Sequence, residues 1–186
     1  MTTDEQYDEV VNQCRKTFLE KTANYGTSWR VYRIISVADQ IYIKARRIRT
    51  IQENKTQKIA DDIRSEFEGM LNYAVIGLIQ LDFATDEPEQ LAVEQVANLY
   101  QLKIDAAKNL MQNKNHDYGE AWRAMSFESF VDLSLSKILR IKQILKNDGK
   151  TLVSEGIAAN FYDILNYAVF ALIGLAEQQI TGDQNS

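Results

Sequence analysis

Apolar positions recur at three- and four-residue spacing over most of the chain, which is the pattern of helices with one buried face. In the first half this predicts a helix over roughly 4–22, then a loop at Asn24-Tyr-Gly-Thr-Ser-Trp-Arg30 with room for one helical turn. A second helix is predicted over 37–53 and a third over 58–83. The second half repeats the plan, with helices over 88–114, 130–146 and 154–179 and the loop at Asp117-Tyr-Gly-Glu-Ala-Trp-Arg123. In the third helix of each half, Leu71 to Leu81 and Leu165 to Ala176 are apolar on nearly every face, so these segments are expected at the centre. Both fall short of the ~20 apolar residues that span a bilayer. Ser36-x-x-Asp39 and Ser129-x-x-Asp132 have the spacing of a capping box, which gives the two aspartates a structural task at helix starts. Pro88 suits a first helical turn behind Thr85 or Asp86.

The two rounds are copies of one another. At an offset of 93 residues, Tyr25, Gly26, Trp29 and Arg30 recur as Tyr118, Gly119, Trp122 and Arg123, and Lys44 and Arg47 recur as Lys137 and Arg140. At an offset of 94, Leu71-Asn-Tyr-Ala-Val75 recurs as Leu165-Asn-Tyr-Ala-Val169. The extra residue of the second copy falls near Asn147-Asp-Gly-Lys150. The expectation is an all-α protein: a tandem duplication of a three-helix unit, residues 1–85 and 86–186, joined by the short polar Asp82–Glu89 junction. Neither copy can bury its third helix alone, so the two are expected to share one core about a pseudo-two-fold axis.

Composition narrows the function. The 186 residues are 45% hydrophobic and 25% charged, as in an ordered globular protein, and one proline with eight glycines supplies few of the turns an all-β fold needs. A net charge of −5 disfavours duplex nucleic acid as a partner, because duplex affinity rests on phosphate neutralisation. Cys14, the single cysteine, excludes a disulfide or a thiolate zinc site within one chain and reads as a half-buried thiol on an amphipathic helix. The opening Met1-Thr-Thr-Asp-Glu has neither a basic start nor an apolar core, so a cytoplasmic setting with no membrane partner is expected, as a monomer or homodimer.

The polar residues of the third helix are the first candidates for chemistry. On a wheel of about 100° per residue, Glu155, Asp163 and Asn166 share one stripe. In the first copy the stripe holds Asp61 and Asn72, Gly69 stands in the place of Asp163, and Glu68 lies close enough to substitute. Buried asparagines require partners, since an unpaired amide costs on the order of 1–3 kcal/mol. Those partners are either a ligand or a polar network that fixes how the copies dock. Lys44 with Arg47, and Lys137 with Arg140, present two cations side by side on the second helix, suited to a phosphate or to facing carboxylates. Tyr25 and Trp29, like Tyr118 and Trp122, either border a base or plug the end of the bundle, with Gly26 and Gly119 permitting a tight turn. Arg30 and Arg123 either hold phosphates or pair with acids on the third helix. His116, whose counterpart is Ala23, reads as a solvated loop residue. The sequence has no Ser/His/Asp set, glycine-rich phosphate loop or zinc spacing.

The pattern Lys114-x-x-Asp117-Tyr-Gly, Lys137-x-x-Arg140, Glu155, Asp163-x-x-Asn166-Tyr-Ala resembles the nucleotide modification associated domain 1 family in its two-copy bacterial form, and is cleaner in the second copy. The resemblance implies a helical protein tied to nucleotide metabolism or modified-nucleotide synthesis. Its layout is similar to that of the all-α nucleoside triphosphate pyrophosphohydrolases. On that analogy Glu155 and Asp163 would bind Mg²⁺, Lys137 and Arg140 would hold phosphates, Asn166 would orient the base or a metal-bound water, and Tyr118 and Trp122 would border the base. Family members often carry an acid before the lysine, where this chain has Ser136 and Ile43, and another where Ala159 and Ser65 stand. Two carboxylates suffice for one Mg²⁺ but hardly for two. A nucleotide binder, a Mg²⁺-dependent nucleotide phosphohydrolase and a non-catalytic helical interaction module therefore stay open. The loss of the Asp163 equivalent at Gly69 favours a site in the second copy only.

Overall fold

The computed structural model of the chain describes residues 1–55, 62–83, 89–148 and 156–183, the last four of these as backbone only. Among the described residues the protein is all-helical. The helices are α1 (Thr3–Tyr25), α2 (Ile34–Asn54), α3 (Ile63–Gln80), α4 (Val93–Tyr118), α5 (Phe127–Lys146) and α6 (Ile157–Asp183). Short 3-10 turns at Ser28–Val31 and Ala121–Ala124 fill the two Tyr-Gly-x-x-Trp-Arg loops.

The four helices α2, α3, α6 and α5 form a ring in which α3 lies along α6 and α2 along α5, so each second and third helix meets its own counterpart. α1 and α4 lie together over the α3/α6 side. This placement explains the apolar third helices. Met70, Leu71, Ala74, Val75 and Ile79 of α3, and Ile164, Leu165, Ala168, Val169 and Leu172 of α6, are shut from solvent. Gly77 lets the helices approach, because a Cβ there would come within 2.6 Å of the Phe161 ring. The span Ile157–Gln179 of α6 is long and apolar enough to cross a membrane, longer than the sequence pattern suggested, yet two thirds of that stretch is buried inside the bundle. A central position accounts for its composition.

The copies interlock crosswise. The Tyr7 hydroxyl of α1 donates to Asn166 Oδ1 of α6 at 2.9 Å, and the Tyr100 hydroxyl of α4 donates to Asn72 Oδ1 of α3 at 2.8 Å. Each asparagine returns an N–H to a backbone carbonyl of its own copy, Asn166 to Ala107 and Asn72 to Cys14. Burial pushes both phenols well above the ordinary tyrosine range, so they stay protonated donors. A second crossed pair ties the other side. Asp39 of α2 meets Lys142 of α5 at 2.5 Å, and Asp132 of α5 meets Arg49 of α2 at 3.6 Å.

These pairs correct the capping expectation. α2 begins at Ile34 behind Arg33 and α5 at Phe127 behind Ser126, so Ser36, Asp39, Ser129 and Asp132 already lie inside their helices. α4 likewise starts at Val93, later than Pro88 suggested; Pro88, Thr85 and Asp86 lie in the stretch 84–88 of the copy junction, outside the described residues. His116 belongs to the last turn of α4 rather than to a loop, exposed and 3.1 Å from Asp117. Cys14 is fully buried, and burial, reinforced by the charge of Glu68, pushes its thiol up to about 12.

Candidate functional site

Each Tyr-Gly-x-x-Trp-Arg loop turns the chain from the first helix of its copy toward the second. Gly26 and Gly119 end α1 and α4 with φ of 67° and 61°, in the left-handed region that favours glycine. The turn separates the two aromatics. Trp29 and Trp122 go inward and are buried, whereas Tyr25 and Tyr118 remain 73% and 74% exposed. Each tryptophan buries its indole N–H without a partner. The tryptophans therefore pack against the core, and the tyrosines are the exposed rings of the two loops.

The arginines that follow serve the loop itself. Arg30 donates to Gln80 Oε1 and lies over the Phe83 ring at 4.1 Å, while the Gln80 amide donates to the carbonyls of Trp29, Arg30 and Tyr32. Arg123 reaches Glu120, Glu177, Thr3 and Gln6 and lies over Trp122 at 4.4 Å. As the alternative reading anticipated for Arg123, it pairs with an acid of the third helix. Arg123 thereby docks the start of α1, in a separate depression from the cleft described next.

Between the end of α1, this loop and α3, the first repeat opens a cleft of about 570 Å³. Its walls carry the aromatics Phe18, Tyr25, Trp29, Tyr32 and Tyr73 and the polar groups Lys21, Lys44, Glu66, Glu68 and Asn72. Tyr32 and Tyr73 stack at 6.4 Å. The second repeat builds the corresponding cleft from Met111, Lys114, Tyr118, Trp122, Asp163, Asn166, Tyr167 and Phe170, all in register with first-repeat lining residues, but only about 160 Å³ remains. Two residues fill it. Phe170, where the first repeat has Ile76, stacks flat on Trp122 at 4.3 Å and 7°. Asp163, where the first repeat has Gly69, places a carboxylate between two lysines. The expectation of a site confined to the second copy thus meets the larger opening in the first.

The charges of the two repeats are arranged differently. In the second, Lys114 meets Asp163 Oδ1 at 2.7 Å and Lys137 meets Oδ2 at 2.6 Å. Burial alone would raise the Asp163 carboxyl, but the hydrogen bonds and charges of the two lysines outweigh it and hold the group below the usual carboxylate range. In the first, Glu66 takes the carboxylate role one turn earlier, meeting Lys44 at 3.2 Å and receiving a hydrogen bond from Arg47. Glu68, read from the helical wheel as the substitute, pairs instead with Arg64 at 3.1 Å, although it does line the cleft. The residue in register with Glu66 is Asn160, which donates to the Gly156 carbonyl and buries its Oδ1 unpaired. Arg140, in register with Arg47, is exposed and makes no ion pair among the described residues. Lys137 and Arg140 are therefore not a joint phosphate clamp: one is committed to Asp163 and the other points to solvent.

Glu155 and Asp61 lie outside the described residues. As placed, Asp163 does not fit a divalent-ion ligand, because an ammonium group stands against each oxygen. Among the described residues no three acidic, histidine or cysteine side chains gather into a group able to hold a metal. Asn166 has both polar atoms of its amide engaged within the protein, which matches the docking network left open above. Glu66, Lys21, Tyr7 and Tyr100 escaped the sequence reading. Lys21 against Lys114 and Tyr7 against Tyr100 share the 93-residue offset and were available; Glu66 has no acidic counterpart and left no signal.

Fold and clefts together define a duplicated helical bundle whose copies each build a cleft between first and third helix, closed by a Tyr-Gly-x-x-Trp-Arg loop. The chain belongs to the nucleotide modification associated domain 1 family, whose model matches it twice, over residues 21–81 and 114–175. The two matches begin at Lys21 and Lys114, in register with the duplication. No curated protein and no solved structure matches the chain.

Proposed function

We propose that the protein binds a nucleotide in the cleft of the first repeat. The observation that carries this reading is the contrast between two clefts built from matching residues, one filled by Asp163 and Phe170, the other left open by Gly69 and Ile76. A volume near 570 Å³ lies within the ~300–1,000 Å³ usual for small-ligand sites. The lining is mixed in the manner such a ligand needs. Tyr25 offers an exposed ring at the mouth for a base, and Lys21 and Lys44 offer cations for phosphate. Asn72 donates one amide N–H to the Cys14 carbonyl and accepts from Tyr100 through its Oδ1, which leaves its second N–H for a ligand. The family name points to the same ligand class.

For the second repeat the structural reading is favoured, because its two lysines and carboxylate satisfy one another and Asn166 is held by Tyr7 and the Ala107 carbonyl. Mg²⁺ enters as the counter-ion of a bound nucleotide, since the described carboxylates lining either cleft, Glu66, Glu68 and Asp163, are engaged by lysine or arginine. A panel of canonical and modified nucleosides and nucleotides, with and without Mg²⁺, tests the proposal by thermal shift followed by calorimetry. The expected result is a raised melting temperature with one nucleotide class and one ligand bound per chain. No shift with any compound overturns it, and Mg²⁺-dependent release of phosphate or pyrophosphate would turn the reading from binder to hydrolase.

A further inference from the structure

Asp163 shows where an anion sits in this architecture. Its carboxylate bridges Lys114 from the end of α4 and Lys137 from α5, at 2.7 and 2.6 Å. The duplication places Lys21 and Lys44 in the same two positions of the first repeat, and both line the open cleft. Gly69 occupies the place of the bridging carboxylate, and Lys44 pairs instead with Glu66 one turn earlier. Lys44 lies across the vacated space: a Cβ on Gly69 would come within 2.6 Å of its side chain. Lys21 is exposed and makes no ion pair among the described residues.

We propose that the first repeat has an anion position over Gly69, between Lys21 and Lys44, which the second repeat fills with its own Asp163 and which takes a phosphate group of the bound nucleotide. The inference rests on the nucleotide reading of the cleft and specifies which part of the ligand goes where. An incoming phosphate accepts from both ammonium groups, as the Asp163 carboxylate does from theirs, and Lys44 turns toward it while Arg47 keeps Glu66 neutralised. The tyrosines of the mouth then face the nucleoside. On this account the second repeat is a closed copy of the site, carrying a fixed substitute for the ligand's anion.

The substitution Gly69→Asp installs that substitute in the first repeat. The atoms it displaces are the flexible end of Lys44, so the fold accommodates it. Calorimetry with adenosine, guanosine, cytidine and thymidine, their 5′-monophosphates and inorganic phosphate is run on wild type and on Gly69→Asp. The expected result is that a monophosphate binds wild type at least about tenfold tighter than its nucleoside, as charge-assisted hydrogen bonds provide. In Gly69→Asp the ratio of monophosphate to nucleoside affinity falls to about one. Equal affinity of nucleoside and monophosphate for wild type overturns the anion position and leaves the nucleotide cleft standing. So does a phosphate gain that survives Gly69→Asp. Inorganic phosphate bound by wild type and lost in the variant, with no contribution from any nucleoside, keeps the anion position and overturns the nucleotide reading. No binding of any compound overturns both. Should Gly69→Asp melt below wild type, Lys21→Ala replaces it: the phosphate gain must fall there too, and an unchanged gain overturns the proposal.

Discussion

Asp163 lies between an ammonium group open to solvent and one that is not: the Lys114 side chain is 57% exposed, that of Lys137 only 13%. Removing the carboxylate costs little at the exposed Lys114 but strands the more buried Lys137. The Asp163→Asn variant is therefore expected to lose about 2–3 kcal/mol at neutral pH, less than the full cost of breaking a wholly buried pair. Because the folded state holds this carboxyl below its ordinary value, its contribution is complete above the unfolded value near ~3.9 and is lost as pH falls through the lower folded one. Denaturant unfolding from pH 7 down to pH 3 should show the gap between wild type and variant closing in acid. A variant as stable as wild type at pH 7 contradicts the assignment. Asp163 and the asparagines were visible in the sequence as polar residues on apolar helices. Their partners were not, because Tyr7 on α1 and Lys114 on α4 belong to outer helices whose docking no local pattern encodes.

At the scale of helices, periodicity located all six; the expected starts at 58, 88 and 154 lie outside the described residues, and the other ends fall within four residues of those observed. The starts failed where a local motif was trusted over tertiary context. Ser36-x-x-Asp39 has the spacing of a cap, yet α2 extends ahead of it and Asp39 is drawn to Lys142 on the facing copy. That the motif recurs at Ser129-x-x-Asp132 with Arg49 opposite shows a charge pairing preserved through the duplication rather than a helix start. The crossed Tyr–Asn ties make a sharper prediction about elements. Tyr7→Phe should loosen α1 from α6, and Tyr100→Phe should loosen α4 from α3, each by about 1–2 kcal/mol, the cost of leaving a buried amide oxygen unpaired. Hydrogen exchange then shows faster exchange confined to the affected pair. Uniform protection in both variants would mean that apolar packing alone holds the outer helices.

For the whole molecule, the duplication was legible because identities fell at nearly constant offset, and one shared core followed because neither apolar third helix can be covered within its own copy. Which repeat holds the open cleft was not legible. Asp163, part of the cleaner motif in the second repeat, joins Phe170 in closing that cleft, and the apparent loss at Gly69 leaves space in the first. Motif quality recorded the presence of side chains, while a cavity depends on their absence. The central claim is that one cleft of the two takes the ligand. Its most direct measurement is an amide-resolved NMR titration of the full chain with the nucleotide that gives the largest thermal shift. The account predicts perturbations at Gly26, Gly69 and Asn72 with their counterparts Gly119, Asp163 and Asn166 unmoved. Perturbations centred on Gly119, Asp163 and Asn166 instead would contradict it.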